Sequence, residues 1–379
     1  MRNFIIKFVA VLLTIIISVP CIVVHADQTL DARSAILIEA NTGTVLYEMN
    51  ADEALPPASV TKVMTLLLVM EAIDSGKIAL SDNVTVSEKA ASMGGSQIFL
   101  EVGEIMSVED LIKSVVIASA NDAALALAEH IYGSEEEFVK MMNSKAQKLG
   151  MNNTYFENTN GLDDTTTRHL TSARDIAIMS AELIVKHPSI LNYTTIWQDT
   201  VRNGEFTLSN TNKLVRFYPG ANGLKTGSTS KAKFCISASA KRDNLQLIAV
   251  IMGSSTKDSR NAIAKQLFDY GFANYAYIES PAQNDLVTTV DFGIKDTVNC
   301  AYESFSHLAK KASGLQLENA VILEKNLKAP IKKGDVVGKV IYKINGDTVG
   351  EGKIYALEDI KKLGYIDLFK KILKIYFIN

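Results

Sequence analysis

Pro56-Pro57-Ala58-Ser59 leads directly into Val63-Met64-Thr65-Leu66-Leu67-Leu68-Val69-Met70-Glu71-Ala72-Ile73, an apolar run long enough for a buried helix. Proline suits a helix start, because the first turn leaves that N–H unbonded in any case. Ser59 is therefore expected in the first turn, with Lys62 three residues on. That spacing puts both side chains on one face, roughly 5 to 6 Å apart at Cβ, so the amine can reach the hydroxyl. The helix amino end adds partial positive charge and unbonded N–H groups where an oxyanion would form. A Ser-Lys couple for acyl transfer fits this place.

Ser-x-x-Lys also occurs at Ser228, Ser230 and Ser254, but none of these opens such a helix. Two later signals support Ser59. Ser119-Ala120-Asn121 follows the apolar segment Leu111 to Ala118 and precedes the alanine-rich segment Asp122 to Ile131, which predicts a helix-to-helix loop able to face a cleft. Ser81-Asp82-Asn83 has the same spacing but reads as a turn before the strand Val84 to Ser87; Ser259-Arg260-Asn261 also fits the pattern. Lys225-Thr226-Gly227 occurs once, after Pro219-Gly220-Ala221-Asn222-Gly223 and before Phe234 to Ala240, and is expected to open an edge strand lining the cleft.

Strand signals at Ser34 to Glu39 and Thr44 to Glu48 predict a hairpin, and strands return at Lys233 to Ala240 and Leu245 to Met252. Between them lie helices. Ser134 and Glu137 form a capping box opening a helix to Gly150, and Thr171 to Lys186 is helical before Pro188. A helix from Arg260 to about Tyr270 follows. Early and late strands around a helical block predict an α+β fold, one antiparallel sheet with helices packed on it, over residues 27–279. Residues 280–360 read as a small β-rich domain, with strands at Leu286 to Phe292, Val336 to Ile344 and Thr348 to Tyr355 and an Asn345-Gly346 hairpin turn.

Residues 361–379 end the chain as a basic amphipathic helix: Ile366, Phe369, Ile372, Leu373, Tyr376 and Phe377 share one side, with Lys370, Lys371 and Lys374 elsewhere. At about 15 residues it is too short to span a bilayer, which takes roughly 20, so it is expected to lie on a membrane surface. Packing on the protein's own surface is the alternative.

The amino end is basic at Arg2 and Lys7, apolar from Phe8 to Val24 and small at Ala26, the pattern of a secretory signal over residues 1–26 cleaved after Ala26. The length of its apolar core leaves an uncleaved anchor as the alternative, and Pro20 before Cys21 is a poor match to a lipoprotein site. Cys235 and Cys300 fall in different predicted domains, so no disulfide is expected between them. A net charge of −3 gives no basis for nucleic-acid binding. No glycine-rich phosphate loop and no Cys/His cluster is present, so no metal and no cofactor is expected.

In order and kind, the three motifs resemble those of the penicillin-binding proteins and serine β-lactamases. Within that superfamily, Pro57 to Thr65, Ser119 to Ala124, Met142-Asn143, Leu149-Gly150-Met151, Asn160-Gly161-Leu162 and Asp269-Tyr270-Gly271-Phe272 are similar to the serine D-alanyl-D-alanine carboxypeptidases, the low-molecular-mass penicillin-binding proteins. Similarity runs over about residues 28 to 360. It implies a site between sheet and helical block, an exported protein held peripherally on the extracytoplasmic face of a bacterial membrane, peptidoglycan stem peptides ending in D-Ala-D-Ala as substrate, and β-lactams as inhibitors.

The resemblance also implies roles. Ser59 attacks the carbonyl of the penultimate D-alanine, with neutral Lys62 as base. Burial and the cation at Lys225 would lower the Lys62 pKa. Ser119 relays the proton to the departing D-alanine, and Asn121 holds Lys62 and the substrate amide. Backbone N–H groups of Ser59 and Ser228 form the oxyanion hole, worth about 2.7 to 4 kcal/mol per donor. Lys225, Thr226 and Arg260 recognise the terminal carboxylate, and water releases the acyl-enzyme. His130, His169, His187 and His307 are scattered and read as structural.

A β-lactamase is the enzymatic alternative, but no Glu-x-x-Leu-Asn segment lies between Asn121 and Lys225, and Ala120 stands where that class usually has Asp. A penicillin sensor or scaffold that does not turn over is the binding alternative. One departure from the family stands out: relatives usually have Ala-Gly before the aromatic residue, whereas this chain has Ala232-Lys233-Phe234. Altered strand geometry or substrate preference is the expected consequence.

Overall fold

The computed structural model describes residues 30–377 apart from 165, 313 and 314. The secretory signal expected over residues 1–26, with Cys21 and the cleavage after Ala26, lies outside the described residues. A five-stranded antiparallel sheet organises the first part of the chain. Strands β1 (Ser34–Glu39) and β2 (Val45–Met49) form the amino-terminal hairpin; β3 (Ala221–Thr229), β4 (Lys233–Arg242) and β5 (Leu245–Ser254) complete the order β2-β1-β5-β4-β3.

The sequence of β5 explains why helices cover both faces. Leu247 to Met252 is apolar at every position, so alternation sends hydrophobic side chains to both sides, and all six residues are buried. Ile248, Val250 and Met252 join the core under the helical block. Leu247 instead meets α5 (Lys257–Asn274), where a methyl placed on Gly271 would lie 2.6 Å from it.

Helix α1 (Lys62–Asp74) is the hub of the block. Every residue from Lys62 to Met70 is buried, as a helix apolar all round requires. Around it pack α2 (Asn121–Tyr132), α3 (Glu135–Lys148) and α4 (Ala173–Lys186), the last also lying on β1 and β5. Side-chain caps set the starts: Ser134 Oγ accepts from Glu137 N at 3.2 Å, and Ser172 Oγ from Asp175 N at 3.1 Å.

Three boundaries differ from expectation. Ser59 lies in a single 3₁₀ turn, Ala58–Thr61, that feeds α1 rather than in α1 itself. Strand β3 starts at Ala221, so Lys225-Thr226-Gly227 sits inside it, though on the sheet edge as expected. Helix α5 begins three residues before Arg260 because Thr256 Oγ1 caps it, accepting from Ser259 N at 3.0 Å. Its first turn is polar, so periodicity alone gave no sign of it.

Lys233, the residue at the departure, has φ 57°. That left-handed conformation costs an L-residue about 1 to 2 kcal/mol and costs glycine almost nothing. The β3–β4 pairing nevertheless continues through it, with Thr229 opposite Lys233 and Ser228 opposite Phe234.

Beyond α5 the chain is mostly strand. β6 (Tyr275–Ser280) pairs with β9 (Phe305–Lys310), and six strands, β7 (Gln283–Asp291), β8 (Thr297–Tyr302), β10 (Leu317–Leu323), β11 (Leu327–Lys328), β12 (Val336–Ile344) and β13 (Asp347–Ala356), form a sheet in the order β10-β12-β13-β8-β7-β11. Its core holds Val298, Cys300, Val340, Tyr342 and Ile354. Asn345 and Gly346, with φ 51° and 89°, make the predicted β12–β13 turn. Cys235 and Cys300 are both buried free thiols. Helix α6 (Tyr365–Phe377) ends the described chain; of its side chains, those at 371, 372 and 374–377 are outside the description.

Candidate active site

The turn before α1 has little freedom. Ala58 has φ 49°, and Gly161 lies so close beneath it that a Cβ there would fall 1.8 Å from the Ala58 carbonyl oxygen and 2.7 Å from Thr61 Oγ1. Only glycine fits, and Gly161 itself has φ 84°. From the same loop, the Thr159 carbonyl accepts from Thr65 Oγ1 at 2.5 Å, and the His169 ring nitrogen Nε2 lies 2.8 Å from Thr61 Oγ1. His169 Nδ1 accepts from Glu157 N at 3.0 Å, so Nε2 carries the proton and donates to Thr61. Burial lowers the His169 pKa to about 4, which keeps the ring neutral.

Lys62 points from the first turn of α1 into the core and is fully buried. Its Nζ lies 2.9 Å from Ser59 Oγ, 2.6 Å from Asn121 Oδ1 and 3.0 Å from the Asn160 carbonyl oxygen. Asn121 is fixed in turn, donating from Nδ2 to the Gly94 carbonyl at 2.7 Å and from its backbone N–H to the Ser96 carbonyl at 2.7 Å. Ser119 stands just before it, in the left-handed region at φ 64°, where the helical segment 114–118 breaks before α2. That break turns its side chain into the cleft.

Strand β3 forms the opposite wall. A Cβ on Gly227 would lie 2.9 Å from Pro57 O, Ser59 N and Val60 N, so the missing side chain is what lets the strand backbone approach the Ser59 turn. Lys225 is buried and donates to the Thr226 carbonyl at 3.0 Å; Thr226 Oγ1 bonds Thr211 Oγ1 at 2.8 Å. Arg260, from the first turn of α5, donates to Asn261 Oδ1 and to the Cys235 carbonyl. The resulting cleft, about 350 Å³, is lined by Ser59, Ser119, Thr226, Ser228 and Arg260 among others. All eight residues singled out from sequence thus gather here, with Lys62, Asn121 and Lys225 behind the lining.

The electrostatics follow from burial. Desolvation lowers the Lys62 pKa well below the usual lysine value, the Lys225 cation adds to the fall, and buried Asp122 opposes it. Burial, and then Arg260, bring Lys225 to about 7. Burial also takes Arg260 to about 10. A buried amine whose charged form is disfavoured, set beside a hydroxyl, is suited to take that hydroxyl's proton, and the cationic wall opposite is suited to hold an anionic ligand.

Sequence reasoning missed several contributors. Asn160 acts through its backbone carbonyl, and Thr211, Lys213 and Lys257 line the cleft without belonging to a recognised motif. His169, read as structural, does brace the nucleophile turn. If the Gly227 contact sets the site, Gly227→Ala should push β3 away from Ser59 by a fraction of an ångström to about 1 Å and slow acylation of Ser59 by a reactive acyl probe about 100-fold, with the circular dichroism spectrum kept. Acylation within about threefold of wild type would remove that constraint.

Comparison with known proteins agrees with this geometry. The sequence profile of the D-alanyl-D-alanine carboxypeptidases matches residues 22–256, and that of the penicillin-binding protein 5 C-terminal domain matches residues 278–362. The chain is 46% identical to D-alanyl-D-alanine carboxypeptidase DacF of Bacillus subtilis over 348 residues, 90% of this chain and 89% of the relative. The structure of penicillin binding protein 5 from Haemophilus influenzae superimposes with a TM-score of 0.72 at 33% identity, covering 88% of this chain and 98% of that one. Penicillin-binding protein D2 from Listeria monocytogenes, in its ampicillin-bound form, does so with a TM-score of 0.60 at 31% identity, covering 65% and 99%. With a family profile spanning more than half its length, a relative of this similarity and a Ser-Lys cleft, the chain belongs to the D-alanyl-D-alanine carboxypeptidase family.

Proposed function

We propose that the protein hydrolyses the terminal D-alanine from peptidoglycan stem peptides ending in D-Ala-D-Ala through an acyl-enzyme on Ser59, and that β-lactams acylate the same serine. The arrangement around Lys62 carries this reading. A neutral amine has two N–H bonds and one lone pair; Asn121 Oδ1 and the Asn160 carbonyl accept the two N–H bonds, so the lone pair is left for the Ser59 hydroxyl at 2.9 Å. Lys62 is then the base that activates Ser59.

Ser59 Oγ bonds the carbonyl carbon of the penultimate D-alanine. Backbone N–H groups of Ser59 and Ser228, which the Gly227 contact brings near each other, hold the oxyanion. Ser119 passes the proton to the leaving nitrogen as the C–N bond breaks. Asn121 has one Nδ2–H left for the substrate amide after its bond to Gly94. Thr226, Arg260 and the Lys225 cation behind them take the terminal carboxylate. Water then attacks the ester and restores Ser59.

The same reading assigns residues 27–279 to catalysis, 280–360 to a β-rich spacer or interaction module, and export to the extracytoplasmic side. Helix α6 is the proposed surface anchor. Tyr365, Ile366 and Phe369 are 96%, 72% and 63% exposed, an apolar side without cover from the other described residues, and no helix among the described residues is long and apolar enough to cross a membrane.

Incubation with a stem pentapeptide ending in D-Ala-D-Ala should release D-alanine, and Ser59→Ala should lose that release by at least about 10⁴-fold. Undiminished release by the variant would refute the assignment; fast penicillin turnover without D-alanine release would instead mark a β-lactamase, and a stable adduct alone a sensor. Lys225→Gln tests the proton path. Removing that cation makes Lys62 easier to protonate, so its pKa rises and the acidic limb of penicillin acylation moves to higher pH. An unmoved limb would show that the two amines are not coupled. Truncation before Tyr365 should shift the protein from membrane to soluble fractions; unchanged association would rule out α6 as the anchor.

A further inference from the structure

The end of the cleft that would receive the leaving amino acid holds more positive charge than one carboxylate uses. Lys213 and Lys257 line it together with Thr226 and Arg260. Both lysines are exposed, and neither side chain makes a hydrogen bond or ion pair among the described residues. The other lining groups on this side are Asn210, Thr211 and Asn261, which are neutral, and one carboxylate, Asp258. Three cations therefore face one anion at the rim, with the Lys225 amine buried behind.

The backbone that carries these lysines is held in place. Lys213 follows a locked loop in which Thr211 N donates to the Ile117 carbonyl at 3.1 Å, Asn212 Nδ2 donates to the Gly223 carbonyl at 2.9 Å, and Asn210 Oδ1 accepts from Asn212 N at 2.8 Å. Lys257 is the first residue of α5, one turn before Arg260, and that turn is capped by Thr256. Arg260 already commits three of its five N–H groups to Asn261 and Cys235, leaving two for a terminal carboxylate. With Arg260 and Thr226 engaged by that carboxylate, the rim still holds one cation more than its anions, and neither lysine has an ion-pair partner among the described residues.

Resting on the carboxypeptidase reading, we propose that Lys213 and Lys257 form an anionic subsite for the leaving amino acid, favouring leaving groups with a negative charge beyond the α-carboxylate. The shared chemistry is a leaving amine at a D-centre whose substituent carries a further carboxylate. Its source is either an acidic D-residue at the end of a single peptide or the carboxylate-bearing acceptor peptide of a cross-link. The covalent step is unchanged. The Ser59 Oγ–carbon bond forms, the C–N bond breaks, the hydroxyl proton ends on the leaving nitrogen, and water completes hydrolysis.

The test compares kcat/KM for two peptides of equal size, one ending in D-Ala-D-Glu and one in D-Ala-D-Gln, with D-Ala-D-Ala as reference. Partly exposed ion pairs predict a Glu-to-Gln ratio of about 3 to 10 at low salt. The ratio should fall toward one at about 1 M salt, where charges are screened beyond roughly 3 Å, and in the double variant Lys213→Gln, Lys257→Gln. Cross-linked dimers with free or amidated acceptor carboxylates distinguish the sources: a preference for the free form assigns the subsite to cross-links, and one confined to D-Glu peptides assigns it to acidic end residues. No preference in either pair, while D-alanine is still released from D-Ala-D-Ala, overturns the subsite alone. Failure to release D-alanine overturns the carboxypeptidase reading on which it rests.

Discussion

The Lys62 amine, buried in the middle of the molecule, is the constraint that the other parts of the site satisfy. A charged ammonium there would cost several kcal/mol in lost hydration, so burial disfavours the charged form and lowers the pKa well below the usual lysine value. Neutrality leaves two donors and one lone pair to satisfy, which fixes what must surround it. Asn121, the Asn160 carbonyl and Ser59 come from three separate segments, and Asn121 and Asn160 are held by further bonds to Gly94 and Leu162. The apolar hub helix therefore does two things at once: it fills the core and it carries the amine into a dry place where that amine can act as a base.

Close approach is the second requirement, and two glycines meet it. Gly161 lets the loop after residue 156 press against the Ala58 carbonyl, and Gly227 lets β3 press against the amides of Ser59 and Val60. A side chain at either point would separate walls that have to act together. His169 reinforces the first contact, since its neutral ring accepts from Glu157 and donates to Thr61 between Ser59 and Lys62. The nucleophile turn is thus held from below by a loop and from the side by a strand, which is how a 3₁₀ turn with a left-handed Ala58 keeps its shape.

Much of this was legible in the chain. The buried helix, the loop Ser-Asn pair and the edge Lys-Thr-Gly strand have apolar periods and flanking breakers that local physics reads directly, and the β12–β13 turn follows from Asn345-Gly346. Other features left no such trace. A backbone carbonyl such as that of Asn160 contributes through position rather than side-chain type. The first turn of α5 is polar and capped by Thr256, so it carries no hydrophobic period. Lys213 and Lys257 are ordinary exposed lysines in sequence, and only the fold brings them to one cleft. The glycine usual at position 233 had a backbone cause that shows only once the φ of 57° is known.

The cations of the cleft are nested, and that order bears on how substrate and base communicate. Arg260 depresses Lys225, and Lys225 depresses Lys62, while burial increases from the first to the last. With a pKa of about 7, Lys225 is divided between charged and neutral forms near neutral pH. A carboxylate arriving at Thr226 and Arg260 favours the charged form of Lys225. The added cation then disfavours protonation of Lys62, offsetting the carboxylate's own attraction for a proton there. On the proposed reading, the Lys225 cation therefore works against protonation of Lys62 when the anion binds, so recognition of a terminal carboxylate does not by itself remove the proposed base.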